Sequence, residues 1–150
     1  MTIVGFDLGT KTGYCVIYDS GDVRSGVWNL QERHGQHDMR EITFQSLLAH
    51  LLADTKPRLV AYEMPHLRGG AATAVLSGLV GILKAECQYR KISYTDFHTA
   101  TLKKFATGKG NASKEEMVEA ARIRWGKVFP EDEADARFVA ALAQEEYGDD

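Results

Sequence analysis

The amino-terminal stretch of the chain reads Ile3-Val4-Gly5-Phe6-Asp7-Leu8-Gly9-Thr10-Lys11-Thr12-Gly13. Its first five residues form a short apolar run that predicts a buried strand, and the glycines and threonines after it are typical of a turn. Asp7 therefore ends a strand that we expect to lie in the centre of a sheet. A carboxylate in that position lies at the edge where open α/β sheets bind their ligands.

Two further strands are predicted after this turn. Residues 14–18 are mostly apolar, and Ser20-Gly21-Asp22 provides a second turn into a strand over residues 23–28. Three consecutive strands joined by short turns form an antiparallel meander.

The pattern then changes to helical spacing. Large apolar residues recur three and four positions apart between about Asp38 and Ala53, which predicts an amphipathic helix. The remaining predicted elements are a strand over 59–63, an apolar helix over 71–89, a strand over 92–97, and helices over 113–125 and 132–146. This order predicts an α/β fold in which helices cover both faces of a mixed five-stranded sheet. In that sheet, three antiparallel strands are followed by parallel strands. It is the order found in the ribonuclease H-like fold.

Length and composition favour one globular domain over residues 1–150, because 44% of the residues are hydrophobic. The net charge is −3, but the charges are segregated along the chain. Residues 84–127 contain ten basic and five acidic residues, whereas residues 128–150 contain one basic and eight acidic residues. This pattern suits a protein that contacts phosphates with one segment and holds cations with another. We expect no apolar run of membrane-spanning length, no membrane association and a cytoplasmic location.

Four carboxylates stand out by position. Asp7 and Glu63 each end a predicted central strand, and Asp132 and Asp135 share one face at the start of the last helix. Asp135 also precedes apolar residues at spacings of three, four and seven, so it lies on the stripe that packs against the sheet. A buried carboxylate is costly unless a cation or hydrogen bonds neutralise it, which points to a divalent cation. Taken singly, Asp132 suits a helix N-cap and Asp7 suits a turn.

A basic segment lies between the strands and the acidic helix. Residues 102–114 contain two glycines that permit close backbone approach, and the next helix begins at Ser113. The lysines of this segment are Lys103, Lys104, Lys109 and Lys114. The spacing does not match a nucleotide P-loop. We interpret the segment as a DNA-backbone contact, the alternative being a solvent-exposed lysine-rich turn.

These stretches carry a family resemblance. Residues 5–9, 62–63 and 132–136 resemble the three acidic motifs of the RuvC-type Holliday junction resolvases, and residues 102–114 resemble the basic segment of that family. The resemblance implies a homodimeric endonuclease that nicks four-way DNA, with other branched DNA as further candidate substrates. It also implies two Mg²⁺ ions per active site, for which Mn²⁺ can substitute. The matching positions place Asp7, Glu63, Asp132 and Asp135 in the metal-binding and catalytic tetrad.

Roles within the tetrad are expected from position. Asp7 is expected to bridge two metal ions because it lies centrally between Glu63 and the Asp132/Asp135 pair. Asp135 is expected to share one ion with Asp7, and Glu63 to lie nearer the other. For Asp132 the sequence leaves open whether it binds metal or orients water. The loop after Glu63 departs from the family pattern, and Arg68 in that loop is a candidate DNA contact.

The resemblance also implies dimerisation through the helix predicted over Ala71–Tyr89, and a bacterial cell or a phage-infected host as the setting. Three alternatives remain at this point. They are a YqgF-like nuclease acting on RNA, a catalytically silent junction-binding protein, and an actin-like or sugar-kinase nucleotide-binding domain. The last would need a second Gly-rich phosphate loop and a longer chain.

Overall fold

The computed structural model of the chain describes residues 1–32, 39–65 and 69–148. The elements are β1 (Ile3–Asp7), β2 (Lys11–Ile17), β3 (Val23–Asn29), α1 (Arg40–Thr55), β4 (Leu59–Glu63), α2 (Gly70–Arg90), β5 (Ser93–Phe97), α3 (Thr99–Thr107), α4 (Lys114–Trp125) and α5 (Glu131–Tyr147). All five predicted strands and all four predicted helices are present. Helix α3 is the element that the sequence pattern did not predict.

The strands form one mixed sheet in the order β3-β2-β1-β4-β5. The β1–β2 and β2–β3 pairs are antiparallel, and the β1–β4 and β4–β5 pairs are parallel, which confirms the predicted sheet. Phe6 of β1 lies opposite Tyr62 of β4. The next residue in each strand is a carboxylate, so this pairing brings Asp7 and Glu63 to the same edge of the sheet.

Strand periodicity determines which helix these two carboxylates face. Phe6 packs in a core cluster with residues of α1 and α2, whereas Ile3 packs with Val139 of α5 on the opposite face. Because side chains alternate along a strand, Asp7 shares the α5 face with Ile3. The same alternation places Glu63 on that face, since Leu59 and Ala61 of β4 also pack with α5.

Helix α5 lies directly on the backbone of β1 and β2. A Cβ added at Gly5 would lie 2.5 Å from the backbone nitrogen of Ala140, and one added at Gly13 would overlap the backbone carbonyl of Asp132. Gly13 is the residue paired with Asp7 in the β1–β2 ladder. Two glycines therefore allow the approach that brings the start of α5 to the end of β1.

Two predicted elements, β2 and α1, differ from the structure by two or more residues at a boundary. Strand β2 begins at Lys11 instead of residue 14, because residues 11–13 pair with β3, and Gly13 also pairs with β1, instead of forming a turn. Helix α1 begins at Arg40 and runs to Thr55, and the predicted start at Asp38 lies outside the described residues.

Helix α3 occupies the first part of the basic segment, for which no helix was predicted. Lys103 and Lys104 lie on this helix, which ends at Gly108 with φ of 86°. A left-handed residue at this position is a common helix stop, and glycine adopts it without strain. Only Lys109 lies in the turn that follows, and Lys114 opens α4.

Helix α2 is long, apolar and mostly exposed. Its buried residues are Leu79, Leu83 and Cys87, and an 18-residue window with mean hydropathy 1.3 is only 17% buried. The helix therefore has the length and composition to cross a membrane, which corrects the expectation that no such run exists. Length and composition are weak evidence of a membrane span, because helices of soluble proteins can meet the same two conditions.

Candidate active site

The four predicted carboxylates line one cleft at the carboxyl ends of β1 and β4. This cleft has a volume of about 330 Å³. Its lining includes Asp7, Glu63, Asp132 and Asp135, together with Glu131, Thr99, Lys103 and Lys114. Larger clefts, of about 550 Å³ beside α4 and about 730 Å³ at the opposite end of β4 and β5, contain none of the four. The structure thus brings together residues that are up to 128 positions apart in sequence.

Asp7 lies at the centre of this group. Burial raises its pKa well above the usual value for an aspartate, and the carboxylates of Asp135, Glu63 and Asp132 raise it further. A hydrogen bond between Asp7 and Asp132 also raises the pKa of Asp7 and lowers that of Asp132. Its interaction with all three other carboxylates fits the central role expected for it.

Asp135 is the second carboxyl group whose pKa is strongly raised. Its pKa is raised to about 7, chiefly because burial removes the carboxylate from water. The carboxylates of Glu63, Glu131 and Asp132 add to this increase, and the ammonium group of Lys103 acts in the opposite direction. Among the described residues, the Asp135 Oδ1 atom is buried without a hydrogen-bond partner. A buried acceptor of this kind needs a compensating ligand.

Asp132 is less buried than the other two aspartates of the group. Burial raises its pKa, the hydrogen bond from Asp7 lowers it, and the nearby carboxylate of Glu131 raises it. Lys11 and Lys114 lower it. The site is therefore an acidic group bordered by lysines on two sides.

These residues fit a divalent cation. They supply several carboxylate oxygens, which are the ligands preferred by Mg²⁺ and Mn²⁺, and one of those oxygens is buried without a partner. Within residues 1–32, 39–65 and 69–148, no three acidic, histidine or cysteine side chains are grouped closely enough to hold a metal as they stand. A bound cation would offset the repulsion among the carboxylates, which contributes to the raised pKa values of Asp7 and Asp135.

Glu63 is held at both its backbone and its side chain. The Met64 backbone N–H donates to the Phe97 carbonyl oxygen at 2.8 Å, which continues the parallel β4–β5 ladder beyond Glu63. The Thr99 hydroxyl donates to Glu63 Oε2 at 2.9 Å. Sequence reasoning missed Thr99. Its only available signal was a hydroxyl residue soon after the end of β5.

A second network missed from the sequence fixes α5 against the edge strand β3. Ser25 of β3 donates a hydrogen bond to Glu133, and Arg137 donates through Nε to the Ser25 hydroxyl oxygen at 2.8 Å. The Arg137 guanidinium also lies 4.0 Å from the centre of the Phe129 ring, a cation–π distance. Glu133 is adjacent to Asp132 in the sequence, and Arg137 is two residues after Asp135, so these contacts hold the part of α5 that carries both aspartates.

The structure places only some of the predicted DNA-contacting residues at the carboxylate cleft. Lys103 and Lys114 line the acidic cleft, and Lys104 is exposed on α3. Lys114 Nζ lies 3.4 Å from a Glu131 oxygen, and Lys109 Nζ lies 2.6 Å from a Glu116 oxygen. Arg68 lies outside the described residues.

We expect Asp135→Asn to stabilise the metal-free protein. The folded state holds a proton on Asp135 up to about pH 7, whereas the ordinary pKa is 3.8. Between about pH 4 and about pH 7 the folded state therefore binds more protons than the unfolded state. The stability of the protein falls as the pH rises through this range. In chelator at pH 8, the variant should melt several degrees higher than the wild type, since about 1 kcal/mol corresponds to roughly 2–4 °C in a domain of this size. The difference should shrink towards pH 4.

Thermal melts followed by circular dichroism at pH 4, 6 and 8 measure this effect. Asp22→Asn, which changes an exposed aspartate in the β2–β3 turn, is the matched control and should leave the melting temperature within about 1 °C at every pH. A variant less stable than the wild type at pH 8 would show that Asp135 is not destabilising in its charged form.

Comparison with known proteins gives a consistent result. The family model described as "Crossover junction endodeoxyribonuclease RuvC" matches residues 3–143. A curated protein of that name from Prochlorococcus marinus (strain MIT 9312) is 27% identical over 156 residues, covering 99% of each chain. One from Thermomicrobium roseum is 29% identical over 147 residues, covering 93% of this chain and 90% of its own.

A solved structure agrees in fold. The structure of Thermus thermophilus RuvC in complex with Holliday junction substrate matches with a TM-score of 0.81 and 20% identity. The match covers 99% of this chain and 95% of that chain. At this identity the likeness establishes the fold, and it confirms the predicted ribonuclease H-like architecture.

Proposed function

The chain belongs to the RuvC family of crossover junction endodeoxyribonucleases, and we propose from this premise that it cuts four-way DNA junctions at the carboxylate cleft. Members of this family are hydrolytic nucleases. One observation carries the assignment to this cleft. Four carboxylates from β1, β4 and α5 meet there, and one of their oxygens is buried without a partner.

We propose Mg²⁺ as the physiological cation, two ions per site, with Mn²⁺ as a substitute. Nucleases of this family generally depend on divalent metals. Two cations bound across a scissile phosphate supply an activated water and stabilise the leaving oxygen. Asp7 would hold both ions because it interacts with each of the other three carboxylates. Asp135 would complete one site and Glu63 the other, and Asp132 either binds metal or orients the attacking water.

The lysines at the cleft suit binding of the DNA backbone. Lys103 and Lys114 line the cleft beside the carboxylates. Without cations, the four carboxylates would repel a phosphodiester, so positive charge beside them favours its approach. The ion pairs of Lys109 and Lys114 are solvent-exposed and therefore weak, so phosphates can replace their glutamate partners.

The direct test of this function is a nicking assay on labelled four-way, flap and linear DNA. We expect paired symmetric nicks on the four-way junction with Mg²⁺ or Mn²⁺, and junction binding with little cutting in Ca²⁺, whose longer and looser coordination places the ligands differently. Equal cutting of linear DNA, or full activity in excess chelator, would contradict the proposal. Selective cutting of structured RNA would favour the YqgF-like alternative.

Replacing Lys104, Lys109 and Lys114 together by alanine should weaken junction binding without changing the position of cutting. Each lost phosphate contact lowers the slope of log affinity against log salt by roughly 0.9, so about three contacts should lower it by almost 3. Binding titrations at several salt concentrations measure this slope.

The control is the charge-matched variant with alanine at Arg24, Lys56 and Lys91. These are exposed basic residues at the end of the sheet away from the carboxylate cleft. This control should retain the wild-type slope. Equal slopes for both triple variants would identify Lys104, Lys109 and Lys114 as ordinary solvent-exposed residues.

We also propose that a second copy of the chain covers the exposed face of α2. The helix is apolar around most of its circumference, and a Cβ added at Gly78 or Gly81 would meet no atom within 4 Å. These glycines leave room for close approach of another helix. Symmetric pairing would bury this apolar surface and provide two cleavage sites for one junction.

On this proposal, Gly81→Arg should convert a dimer into a monomer while the fold is retained. Arginine fits the open space on the isolated subunit but places a charge where the partner helix would pack. Sedimentation velocity measures the mass, and circular dichroism checks the fold. The control is Ser46→Arg on the exposed side of α1, which should remain dimeric. A wild type that sediments as a monomer at all concentrations would contradict the proposal.

The relatives named above are bacterial proteins. We therefore propose that the chain acts on DNA in the cytoplasm of a bacterial cell, including a phage-infected one.

A further inference from the structure

Helix α3 brings a hydroxyl group to the carboxylate of Glu63. Thr99 is the first residue of this helix, and its Oγ1 donates a hydrogen bond of 2.9 Å to Glu63 Oε2. Glu63 lies opposite Phe97 in the β4–β5 ladder, and α3 begins two residues after Phe97. The parallel pairing of β4 and β5 therefore places the start of α3 beside the end of β4.

This hydrogen bond opposes a repulsion within the site. The negative charge of Glu63 raises the pKa values of both Asp7 and Asp135, so the three carboxylates repel one another when ionised. A glutamate has three rotatable bonds, and repulsion favours rotamers in which its carboxylate turns away from the cleft. A hydroxyl donor on a helix holds Oε2 in place and leaves the other oxygen available to a cation.

We propose that Thr99 is a positioning residue, which fixes the carboxylate of Glu63 and thereby strengthens divalent-cation binding at the cleft. This inference rests on the proposed function, in which Glu63 is a metal ligand. Residues that orient metal ligands by hydrogen bonds commonly change metal affinity or activity by ten- to a hundredfold when they are replaced. A purely structural role at the start of α3 would change stability and leave metal affinity unaltered.

The test compares Thr99→Val, which keeps the shape and removes the donor, with Thr99→Ser, which keeps the donor. Thr101→Val makes the same chemical change at an exposed position of α3. Mn²⁺ binding to the protein alone, followed by electron paramagnetic resonance of the free ion, gives an affinity that does not depend on catalysis. Nicking is then measured as a function of Mg²⁺ concentration at saturating junction DNA.

We expect Thr99→Val to weaken Mn²⁺ binding by about tenfold and to raise the Mg²⁺ concentration for half-maximal nicking by a similar factor. The maximal rate at saturating Mg²⁺ should change much less. Thr99→Ser should stay within about threefold of the wild type, and Thr101→Val should be indistinguishable from it. If valine disturbs the start of the helix, Thr99→Ala applies the same comparison, with circular dichroism as the check on folding.

Wild-type metal affinity in Thr99→Val, or equal losses in the serine and valine variants, would overturn the inference. Glu63→Gln separates this failure from a failure of the proposed function. If Glu63→Gln loses nicking while Thr99→Val retains wild-type metal dependence, only the role of Thr99 is wrong. If Glu63→Gln cuts normally, the assignment of Glu63 to the metal site is wrong.

Discussion

Asp7→Asn is expected to abolish junction nicking, with a fall of about a thousandfold or more, which corresponds to ~4 kcal/mol of transition-state stabilisation. Asp7 interacts with each of the other three carboxylates, so both proposed metal ions would depend on its charge. Asparagine keeps the shape and removes the charge. Since its surroundings strongly raise the pKa of the half-buried Asp7, the neutral amide also suits the metal-free fold. Glu63→Gln should have a comparable effect.

The measurement is single-turnover nicking of a four-way junction, together with junction affinity in Ca²⁺. Both variants should bind the junction with an affinity within a few-fold of the wild-type value. The substitutions should therefore lower the nicking rate alone. Asp22→Asn, the exposed-turn control, should cut at the wild-type rate. Nicking by Asp7→Asn within tenfold of the wild type would show that the cleft is not the active site.

Gly13→Ala should have the second largest effect, although Gly13 has no chemistry of its own. An added Cβ would overlap the backbone carbonyl of Asp132 and would lie 3.1 Å from the Glu133 nitrogen. The obstacle is backbone, so the start of α5 must move away from Asp7. Overpacking of this kind costs about 1–3 kcal/mol of stability, and displacement of a catalytic group by about 1 Å can cost roughly a hundredfold in rate.

Chemical unfolding and single-turnover nicking measure the two effects of Gly13→Ala separately. Gly9→Ala is the matched control four residues earlier, in the β1–β2 connection, because a Cβ there meets its nearest neighbour, the Lys11 carbonyl oxygen, at an ordinary 3.5 Å. It should lose much less stability and rate. If the two alanine variants behave alike, the close contact between β2 and α5 does not control the site.

The sheet could be predicted because its strands are short, apolar and separated by recognisable turns. The boundary of β2 could not, since residues 11–13 have turn-like composition and their strand conformation comes from pairing with β3 and, at Gly13, also with β1. Helix α3 was missed because it spans only nine residues, its start has no side-chain cap, and only Leu102 is buried. Such a helix owes its stability to tertiary contacts, which local periodicity does not report.

The carboxylate group could be predicted because strand ends and a helix stripe have fixed positions relative to the sheet. Thr99 and Ser25 could not, because their contacts with Glu63 and Glu133 depend on the exact approach of elements that are distant in sequence. Gly13 could be recognised in the sequence as a glycine of the first motif, but its importance could not be predicted. Its role depends on the helix that lies over it, and no local pattern encodes that contact.

The position of α5 within the chain has a consequence for biosynthesis. Asp7 is made first, whereas Asp132 and Asp135 leave the ribosome more than 120 residues later, and bacterial synthesis at about 5–20 residues per second separates these events by several seconds or more. A nascent or truncated chain that ends before α5 lacks half of the proposed tetrad. On the proposed assignment, the cutting centre is complete only once α5 docks on the sheet, so DNA cleavage would be delayed until synthesis of the chain is almost finished.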